Sequence, residues 1–308
     1  MGQSVFKKVI SASIVALGAI AVSLPAQAGT LINGWNYAND DQLYDGSGGL
    51  SGNANFGPAS RYDFYGMGFK QVGNEIFVGI NTSYKAGTNG VINNVGYGDL
   101  FLDFGYDSGS NFQFQNAQGA LLGIRFAPND MNPSSNLNGV YTGVKGKSVA
   151  GSNQGYTNLK TYNDKVKADN DNGNANSRFG DLLWTDPYFA AYTPGSTSIP
   201  NVINTGTFAN NSVRSLTPAQ LAAQLFPTTV NLASNNKYVY GFAFTLPDQY
   251  RGMSFLATLG FECSNDTISA YVPRPVPVPP AVAGVLVAGA LGGWRAAKRK
   301  KTLNAVEA

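Results

Sequence analysis

Tyr238-Val239-Tyr240-Gly241-Phe242-Ala243-Phe244-Thr245-Leu246 alternates large apolar residues with smaller ones. Successive side chains of a strand point to opposite faces, so this stretch predicts a strand with one aromatic face. The same period of two recurs along the chain, in residues 63–70, 75–81, 99–104, 112–114, 122–126 and 253–263. Ile76, Val78 and Ile80 form one such face, and Leu100, Leu102 and Phe104 form another. Repeated half-buried strands predict an all-β fold.

Strands with one apolar and one more polar face favour antiparallel pairing in two stacked sheets. The chain is also rich in residues that form turns, including 37 glycines. We therefore expect an antiparallel two-sheet β-sandwich of the jelly-roll or lectin-like type. Met253–Cys263 is expected to be the last long strand. Its apolar face would contain Phe255, Ala257, Leu259, Phe261 and Cys263.

A polar, partly helical insertion is predicted over about 148–230, across one side of the sandwich. Leu159, Tyr162 and Val166 have helical spacing, and residues 216–226 predict a short second helix. Pro218 suits its first turn, and Thr217 or Ser215 would cap it. Its apolar face would consist of Leu221, Ala222 and Leu225. Long loops on a rigid scaffold commonly carry binding sites.

The N-terminal segment has the pattern of a secretory signal peptide. Lys7 and Lys8 precede an uncharged, mainly apolar stretch from residue 9 to 24, and Ala26-Gln27-Ala28 follows Pro25. A basic start, an apolar helix and a small-x-small site in this order are read by the export machinery and by signal peptidase. We expect residues 1–28 to be removed by cleavage after Ala28, which makes Gly29 the first residue of the mature chain.

The C-terminal segment has three parts. Residues 273–280 are Pro-rich and predict a stiff extended linker. Residues 281–294 are uncharged and end at Trp294, and a basic cluster follows up to residue 301. A helix of this length reaches about 21 Å, short of the roughly 30 Å hydrocarbon core of a bilayer. Such a helix spans only if the bilayer thins or if Trp294 and the cations reach the interface. The cations favour a cytoplasmic location for this end. A short tail over 302–308 follows.

This tripartite tail resembles the PEP-CTERM class of sorting signals, which exosortases recognise. The elements that carry the resemblance are Pro273, Arg274, Pro275, Pro277, Pro279, Pro280, Trp294, Arg295, Lys298, Arg299, Lys300 and Lys301. The resemblance covers about the last tenth of the chain. Arg274 stands where the family usually has Glu, and seven residues follow Lys301. Both departures leave open which exosortase acts and where it cuts.

Shorter blocks in the remainder of the chain resemble a cyanobacterial family of exosortase-dependent surface proteins. These blocks are residues 33–38, 65–67, 76–81, 96–101 and 261–266. The resemblance implies export, temporary anchoring in the inner membrane through the C-terminal helix, and delivery to the cell surface or extracellular matrix. The resemblance implies where the protein is delivered, but it implies no activity.

Residues 29–272 are expected to form one exported domain, since a single β domain can reach about 250 residues. This segment contains 13 of the 21 Lys and Arg residues and 17 of the 18 Asp and Glu residues, for a formal charge of −4. An acidic domain repels phosphate backbones, so we expect no nucleic-acid partner.

The composition excludes several classes of enzyme. The chain has no histidine and one cysteine, Cys263. A Ser-His-Asp triad, a Cys-His dyad, ordinary His-based or thiolate zinc sites and iron–sulfur clusters are therefore excluded. We find no phosphate-binding loop and no complete dinucleotide-binding motif. Cys263 is expected either to be buried or to pair between chains.

A carboxylate-based glycosidase is a further hypothesis, because that reaction needs only two carboxyl groups. The expected domain has two glutamates, Glu75 and Glu262. Glu262 lies opposite the apolar face of its strand, where it is either an acid or base or a solvated or paired carboxylate.

Calcium is the only cofactor that the sequence suggests. The stretch 169–174 contains Asp169 and Asp171 among asparagines. Their carboxylate and amide oxygens are hard donors of the kind that calcium prefers, but the stretch departs from the EF-hand pattern. A plain polar loop is the alternative. Asp99 and Asp103, on one side of a strand, form a second cluster that is either a ligand pair or solvated.

Aromatic residues in loop-like regions suggest a sugar-binding platform. Trp184, Tyr188 and Tyr192 are the main candidates, with Trp35, Tyr37 and Tyr44 as others; a role in the core is the alternative. The sequence thus predicts a non-enzymatic surface or matrix protein. The second hypothesis is a lectin-like module for extracellular polysaccharide, and the third is the glycosidase.

Overall fold

The computed structural model describes residues 29–40, 62–85, 95–106, 113–115, 117–127, 138–169, 177–192, 197–228 and 238–274. The predicted signal helix, the C-terminal hydrophobic helix over 281–301 and the tail 302–308 lie outside these ranges. Most of the Pro-rich linker does so too. Within the described ranges, no helix is long and apolar enough to cross a membrane.

The described chain is mostly β. In chain order the strands are β1 (Thr30–Ile32), β2 (Trp35–Asn39), β3 (Phe64–Val72), β4 (Glu75–Thr82), β5 (Leu100–Asp103), β6 (Leu121–Arg125), β7 (Gly139–Lys147), β8 (Arg178–Phe179), β9 (Leu182–Leu183), β10 (Val202–Asn210), β11 (Arg214–Ser215), β12 (Tyr238–Thr245), β13 (Phe255–Gly260) and β14 (Thr267–Val272). The helices are α1 (Leu159–Asp169) and α2 (Pro218–Ala223), and short 3-10 turns span Pro187–Phe189 and Asp248–Tyr250.

Twelve of these strands form two six-stranded antiparallel sheets. The first sheet has the order β1-β2-β3-β4-β12-β11, and the second has the order β10-β7-β6-β5-β13-β14. β14 contacts β2 and β3, whereas β12 contacts β7, so the two sheets stack with these ends aligned. β8 and β9 form a separate two-stranded hairpin. The expected two-sheet antiparallel architecture is confirmed at this level.

The main core lies between the two sheets. Phe242 and Phe244 of β12 are fully buried there, as the alternation predicts. Phe126 and Phe242 stack across the interface with ring centroids 4.0 Å apart, and Phe64 and Phe261 do so at 4.2 Å. The predicted apolar faces of β4, β5, β6 and β13 also belong to this core, including Cys263. Period-two spacing therefore predicted which side of each of these strands faces the main core.

The outer faces of both sheets are covered as well. On the second sheet, Phe101 and Leu256 pack against a cluster that contains Tyr162 and Val166 of α1. On the first sheet, Phe77 and Ala243 pack against Leu221 of α2 and Phe226. Each sheet is consequently buried on two sides, which explains why the second face of β12 carries Gly241 and Ala243. A Cβ at Gly241 would lie 2.7 Å from the Leu221 side chain.

The predicted insertion is only partly an insertion. α1 and the segment 177–192 cover the second sheet, as expected of residues 148–230. Val202–Asn210, however, pairs with β7 as the edge strand of that sheet, and Arg214–Ser215 is the edge of the first sheet. The alternation in β10 was concealed because residues 204–209 are exposed on both faces.

Two strand boundaries also differ from expectation. Residues 113–115 lie in a turn, although Phe114 is fully buried against the outer face of the second sheet. β13 ends at Gly260, a turn follows, and β14 is a further strand that the sequence did not predict. Its buried faces include Thr267 and Ser269, whose polar side chains hid the apolar alternation.

The second helix begins as predicted. Thr217 caps it by accepting from the Gln220 backbone N–H at 3.2 Å, Gln220 returns a bond to the Thr217 N–H, and Pro218 is the first helical residue. The predicted apolar face is wrong beyond Leu221, because Ala222 and Leu225 are exposed. The chain reverses at Leu225 with φ of 60°, and Phe226 then packs inward with Leu221.

Candidate functional site

The predicted processing residues are described only where the C-terminal linker begins. β14 ends at Val272, Pro273 is half-buried and Arg274 is exposed. The linker therefore leaves the described domain at its surface. The other predicted residues lie outside the described ranges, namely Ala26, Ala28, Pro275, Pro277, Pro279, Pro280, Trp294, Arg295, Lys298, Arg299, Lys300 and Lys301.

Gly29, the predicted first residue of the mature chain, lies in a tight seat beside β2. A Cβ added to it would fall 2.5 Å from the backbone oxygen of Tyr37, so only glycine fits there without movement. Its backbone N–H acts to lower the pKa of the Asp181 carboxyl group. The backbone N–H of Tyr271 donates to the same carboxyl group, at 2.8 Å from Oδ2. Asp181 therefore holds the last strand of the described domain.

Burial raises the pKa of Asp181 from 3.8 to about 6. The hydrogen bond from Tyr271, the positive charge of Arg178 and the hydrogen bond from Gly29 all act in the opposite direction, since each favours the ionised form. Desolvation outweighs these three contributions together. This carboxyl group is thus placed where a further positive charge would be stabilised.

The structure separates the three aromatic residues of the predicted sugar platform. Tyr188 and Tyr192 are 1% and 9% exposed, and both belong to the cluster on the outer face of the second sheet. Their rings are therefore not accessible as a stacking surface. Trp184 is half-buried beyond β9, with the Lys167 Nζ 5.9 Å from the centre of its ring. Trp184 alone keeps an accessible aromatic surface among the three.

Two further aromatic candidates also lie in the core. Trp35 is fully buried, donates from Nε1 to the Gln224 carbonyl at 2.9 Å and meets Phe226 edge-on at 4.9 Å. The hydroxyl of Tyr37 accepts from Asn81 Nδ2 at 2.8 Å, and burial raises the pKa of Tyr37 to about 12. Both residues hold α2 to the first sheet, which contradicts their prediction as exposed loop residues. Tyr44 lies outside the described residues.

Asp99 forms a buried ion pair, so its prediction as a solvated carboxylate is wrong. Arg125 Nε lies 3.1 Å from Asp99 Oδ1, and the guanidinium NH2 lies 3.0 Å from Oδ2. The backbone N–H of Ile203 adds a bond of 2.6 Å to Oδ2. These contacts join β5, β6 and β10. They satisfy the carboxylate within the protein and leave it no evident role as a metal ligand.

Asp103 lies on the same side of β5 and is also buried. Its Oδ1 accepts from the Gly105 N–H at 2.8 Å, and its Oδ2 accepts from the Tyr188 hydroxyl at 3.2 Å. Burial raises the pKa of Asp103 from 3.8 to about 6, although both hydrogen bonds oppose the shift. Asp103 therefore fastens the segment 177–192 to the second sheet.

Both glutamates of the domain make structural contacts. Glu262 is fully buried and accepts from the Gly96 N–H through Oε2 at 2.7 Å. Its own backbone N–H donates to the Gly96 carbonyl at 3.1 Å. Glu75 Oε1 pairs with the guanidinium of Arg214 at 2.8 Å, across the neighbouring strands β4, β12 and β11. Glu262 is therefore not solvated, and its carboxylate is bonded within the protein.

Sequence reasoning missed two polar residues that join the sheets and loops. Asn201 Nδ2 donates to the carbonyls of Phe261 and Glu262, both at 2.9 Å, while its Oδ1 accepts from the Val149 N–H at 3.0 Å. Asp266 Oδ2 accepts from the Phe64 N–H at 2.6 Å, which links the two sheets. No spacing rule signals such contacts, since each partner is more than 50 residues away.

No group of three or more potential metal ligands occurs among the described residues. Asp169 is the last residue of α1, whereas Asp171 lies outside the described ranges, so the calcium hypothesis for them stays a prediction. Cys263 is a free, fully buried thiol, and burial raises its pKa. A buried position agrees with the first of the two expectations for this residue.

Taken together, the fold and its polar contacts define a mostly β protein of two antiparallel six-stranded sheets, both covered on their outer faces. Comparisons of the chain with protein-family models, curated proteins and solved structures found no match.

Proposed function

We propose that this chain is a non-enzymatic protein of the bacterial cell surface or extracellular matrix. It is exported through its signal peptide, processed after Ala28 by signal peptidase and held briefly in the inner membrane by residues 281–301. An exosortase then cuts near the Pro-rich linker. The observation that carries this proposal is the tripartite C-terminal segment: alternating prolines, an uncharged stretch and a basic cluster.

The place where the linker begins supports the proposal. The last strand ends at Val272, and Arg274 is exposed. A protease that cuts after Arg274 would not need to unfold the sheets, because the last strand has already ended and Arg274 is exposed. The domain would then be released intact.

The roles of the carboxylates support a non-enzymatic interpretation. A glycosidase needs two carboxyl groups that face a bound sugar. Glu262 instead holds the segment around Gly96, and Asp99 is neutralised by Arg125. Glu75 pairs with Arg214 at the sheet edge. We therefore do not propose the glycosidase.

The test is the mass of the chain recovered outside the producing cells. We expect material that begins at Gly29 and lacks residues 295–301. Replacing Arg295, Lys298, Arg299, Lys300 and Lys301 with Gln should prevent C-terminal processing. Replacing the exposed domain residues Lys145 and Lys160 with Gln serves as the matched control and should leave processing unchanged. Extracellular chain that still carries the basic cluster would exclude C-terminal processing.

A second function, binding of extracellular polysaccharide, is favoured by one observation. Trp184 is half-buried, so one part of its indole is open beside the exposed Leu183, which is 47% exposed. Indole faces stack well on the C–H surface of a sugar ring. Calcium-dependent binding belongs to this hypothesis.

Glycan arrays test it directly. Trp184→Ala should lose binding that Leu183→Ala, the neighbouring control, retains. Adding a chelator tests for calcium separately. If the unchanged protein binds no glycan with or without calcium, the polysaccharide hypothesis is wrong.

A further inference from the structure

We propose that the edge strand β10 is an interface at which two copies of this chain pair, strand to strand and antiparallel. The second sheets of the two copies would then form one continuous sheet across a two-fold axis. This inference gives the domain a protein partner, which the proposed function does not name. It does not depend on export or on processing at either end.

The two large sheets have four edge strands among the described residues, and three of these are short or covered. In the first sheet, β1 has three residues and β11 has two. In the second sheet, β14 is covered by the hairpin segment: Gly180 bridges to Ser269, and the Asp181 N–H donates to the Ser269 carbonyl at 3.0 Å. Short and covered edges are the usual protection against pairing with another chain.

The fourth edge, β10, is long and open. It has nine residues, of which 204–209 are all exposed, and it pairs on one side with β7 and on the other with no described strand. Val202–Asn210 contains no charged residue and no proline, which are the side chains that commonly block an edge. Phe208 is 42% exposed, although its ring meets Tyr141 of β7 edge-on at 5.4 Å.

The pairing of β10 with β7 limits how much of the edge another strand can use. Its register shifts three times, between Ile203 and Thr205, between Thr205 and Thr207, and between Phe208 and Asn210. Such irregularities bend a strand and increase its twist. The added ladder would therefore be short and would be confined to the exposed run 204–209.

A second copy suits this edge because the exposed run is compatible with itself. Antiparallel pairing of 204–209 with the same run places Thr205 of each copy opposite Phe208 of the other. Aromatic and β-branched residues form favourable pairs across strands. Lys145 and Lys147 of β7 lie beside the first half of β10, opposite Thr205 and Val202. Antiparallel pairing keeps the lysines of the two copies at opposite ends of the interface, whereas parallel pairing would bring them together.

The proposed assembly stops at two copies. Each copy contributes the same strand, so the interface is isologous and uses both β10 edges. The combined sheet would end at β14 on both sides, and β14 is covered by the hairpin segment in each copy. Six exposed residues give a small interface, so we expect a weak dimer whose population depends on concentration.

The experiment measures amide hydrogen exchange in the peptide 202–210 at increasing concentrations of the full chain, in a mild detergent. Exchange at a paired edge needs the dimer to open, so about nine-tenths pairing slows it about tenfold. Thr207→Lys adds like charges close to the two-fold axis and should remove this protection. Thr185→Lys, which makes the same change at an exposed residue after β9, should behave as wild type. Unchanged exchange in β6 checks that each variant is folded.

Light scattering supplies the mass, which should rise with concentration to twice that of one chain. Fast exchange in β10 at every concentration would overturn the proposal. Slow exchange that dilution does not change would also overturn it, because the chain itself would then cover the edge. A rising mass without slower exchange in β10 would place the association elsewhere, for example in the C-terminal segment. Equal loss of protection in Thr185→Lys would contradict a local role of β10.

Discussion

Arg125 is a cation in a strand whose neighbours Leu122 and Ile124 are fully buried. Its side chain is only 3% exposed, and its guanidinium forms an ion pair with Asp99. The alternation along β6 and along β5 placed Arg125 and Asp99 on the same outer face. The sequence could not show that β5 and β6 are neighbours, and this contact depends on that pairing.

Arg125→Met should therefore be strongly destabilising. It leaves the Asp99 carboxylate buried without a cation, which costs about 3–5 kcal/mol in comparable pairs. The double variant Arg125→Met with Asp99→Asn removes both charges and should regain a large part of this loss. Chemical denaturation of the two variants and the wild type measures the free energies of unfolding. A single variant as stable as the wild type would contradict a structural role for the pair.

Leu225 has a strained backbone conformation. It has φ of 60° at the end of α2 and a side chain that is 60% exposed, so it accepts an unfavourable backbone conformation for little burial. The Leu225 N–H reaches the Ala222 carbonyl at 2.9 Å and the Phe226 N–H reaches the Leu221 carbonyl at 3.0 Å, a helix ending in which glycine is preferred.

Leu225→Gly should raise the free energy of unfolding by about 0.5–1 kcal/mol, because glycine adopts positive φ without steric cost. Leu225→Asn should show a smaller gain in the same direction, and Leu225→Val should lose stability. Thermal unfolding of the three variants compares them. A Gly variant less stable than wild type would indicate that the exposed leucine contacts something in the folded protein.

At the scale of elements, periodicity predicted the strands that have one clearly apolar face. It worked for β4, β5, β6 and β13, whose inward residues lie in the main core, and for Phe242 and Phe244 of β12. The periodicity failed in strands that bury polar side chains or expose residues on both faces. β14 buries Thr267 and Ser269, and β10 exposes six consecutive residues, so neither strand shows the expected alternation. These patterns depend on neighbours that are distant in the chain.

The start of α2 was predictable because capping depends on adjacent residues. Thr217 and Gln220 exchange hydrogen bonds at 3.2 and 2.8 Å, a capping box. Thr217→Ala should lower the free energy of unfolding by about 1 kcal/mol, the usual value of such a cap. Thr217→Ser should retain most of it. Leu221 of α2 and the following Phe226 pack on Trp35, so amide hydrogen exchange in β2 should become faster in the Ala variant. Unchanged exchange in β2 would show that the N-terminal cap does not affect how α2 packs on the first sheet.

For the whole molecule, the raised pKa of Asp103 makes stability depend on pH. Its folded-state pKa of about 6 exceeds the usual 3.8, so the folded protein holds this proton more tightly than the unfolded chain does. Lowering the pH from 7 to 4 should thus favour the folded state through this group, by up to about 2 kcal/mol. The gain is present below pH 4 and is lost as the pH rises through 6.

Asp103→Asn isolates this contribution, since the amide remains neutral and still contacts Gly105 and Tyr188. Subtracting its unfolding free energy from that of wild type at each pH should give a curve that falls between pH 4 and 7. A flat difference for Asp103→Asn would mean that burial does not raise this pKa.

The candidate site was only partly predictable from the sequence, because some of its features depend on neighbouring residues and others on contacts between residues distant in the chain. Gly29 and the onset of the linker at Pro273 came from local patterns of residue type. That Asp181 accepts from the Tyr271 N–H depends on tertiary packing, which brings together two residues 90 positions apart. The aromatic platform failed because the composition of a loop does not reveal that Tyr188 and Tyr192 turn inward.

The last strand, β14, contacts β2, and β2 pairs with the first strand, β1, so the two ends of the described domain lie on the same side of the fold. A short peptide between Arg274 and Gly29 would join the two ends without moving either sheet, and the break could then be placed at the β3–β4 hairpin, where Gly73 and Asn74 are exposed. The order in which these strands are synthesised would change, while every strand would keep its neighbours. The architecture is therefore determined by which strands pair, and it does not depend on where the polypeptide starts.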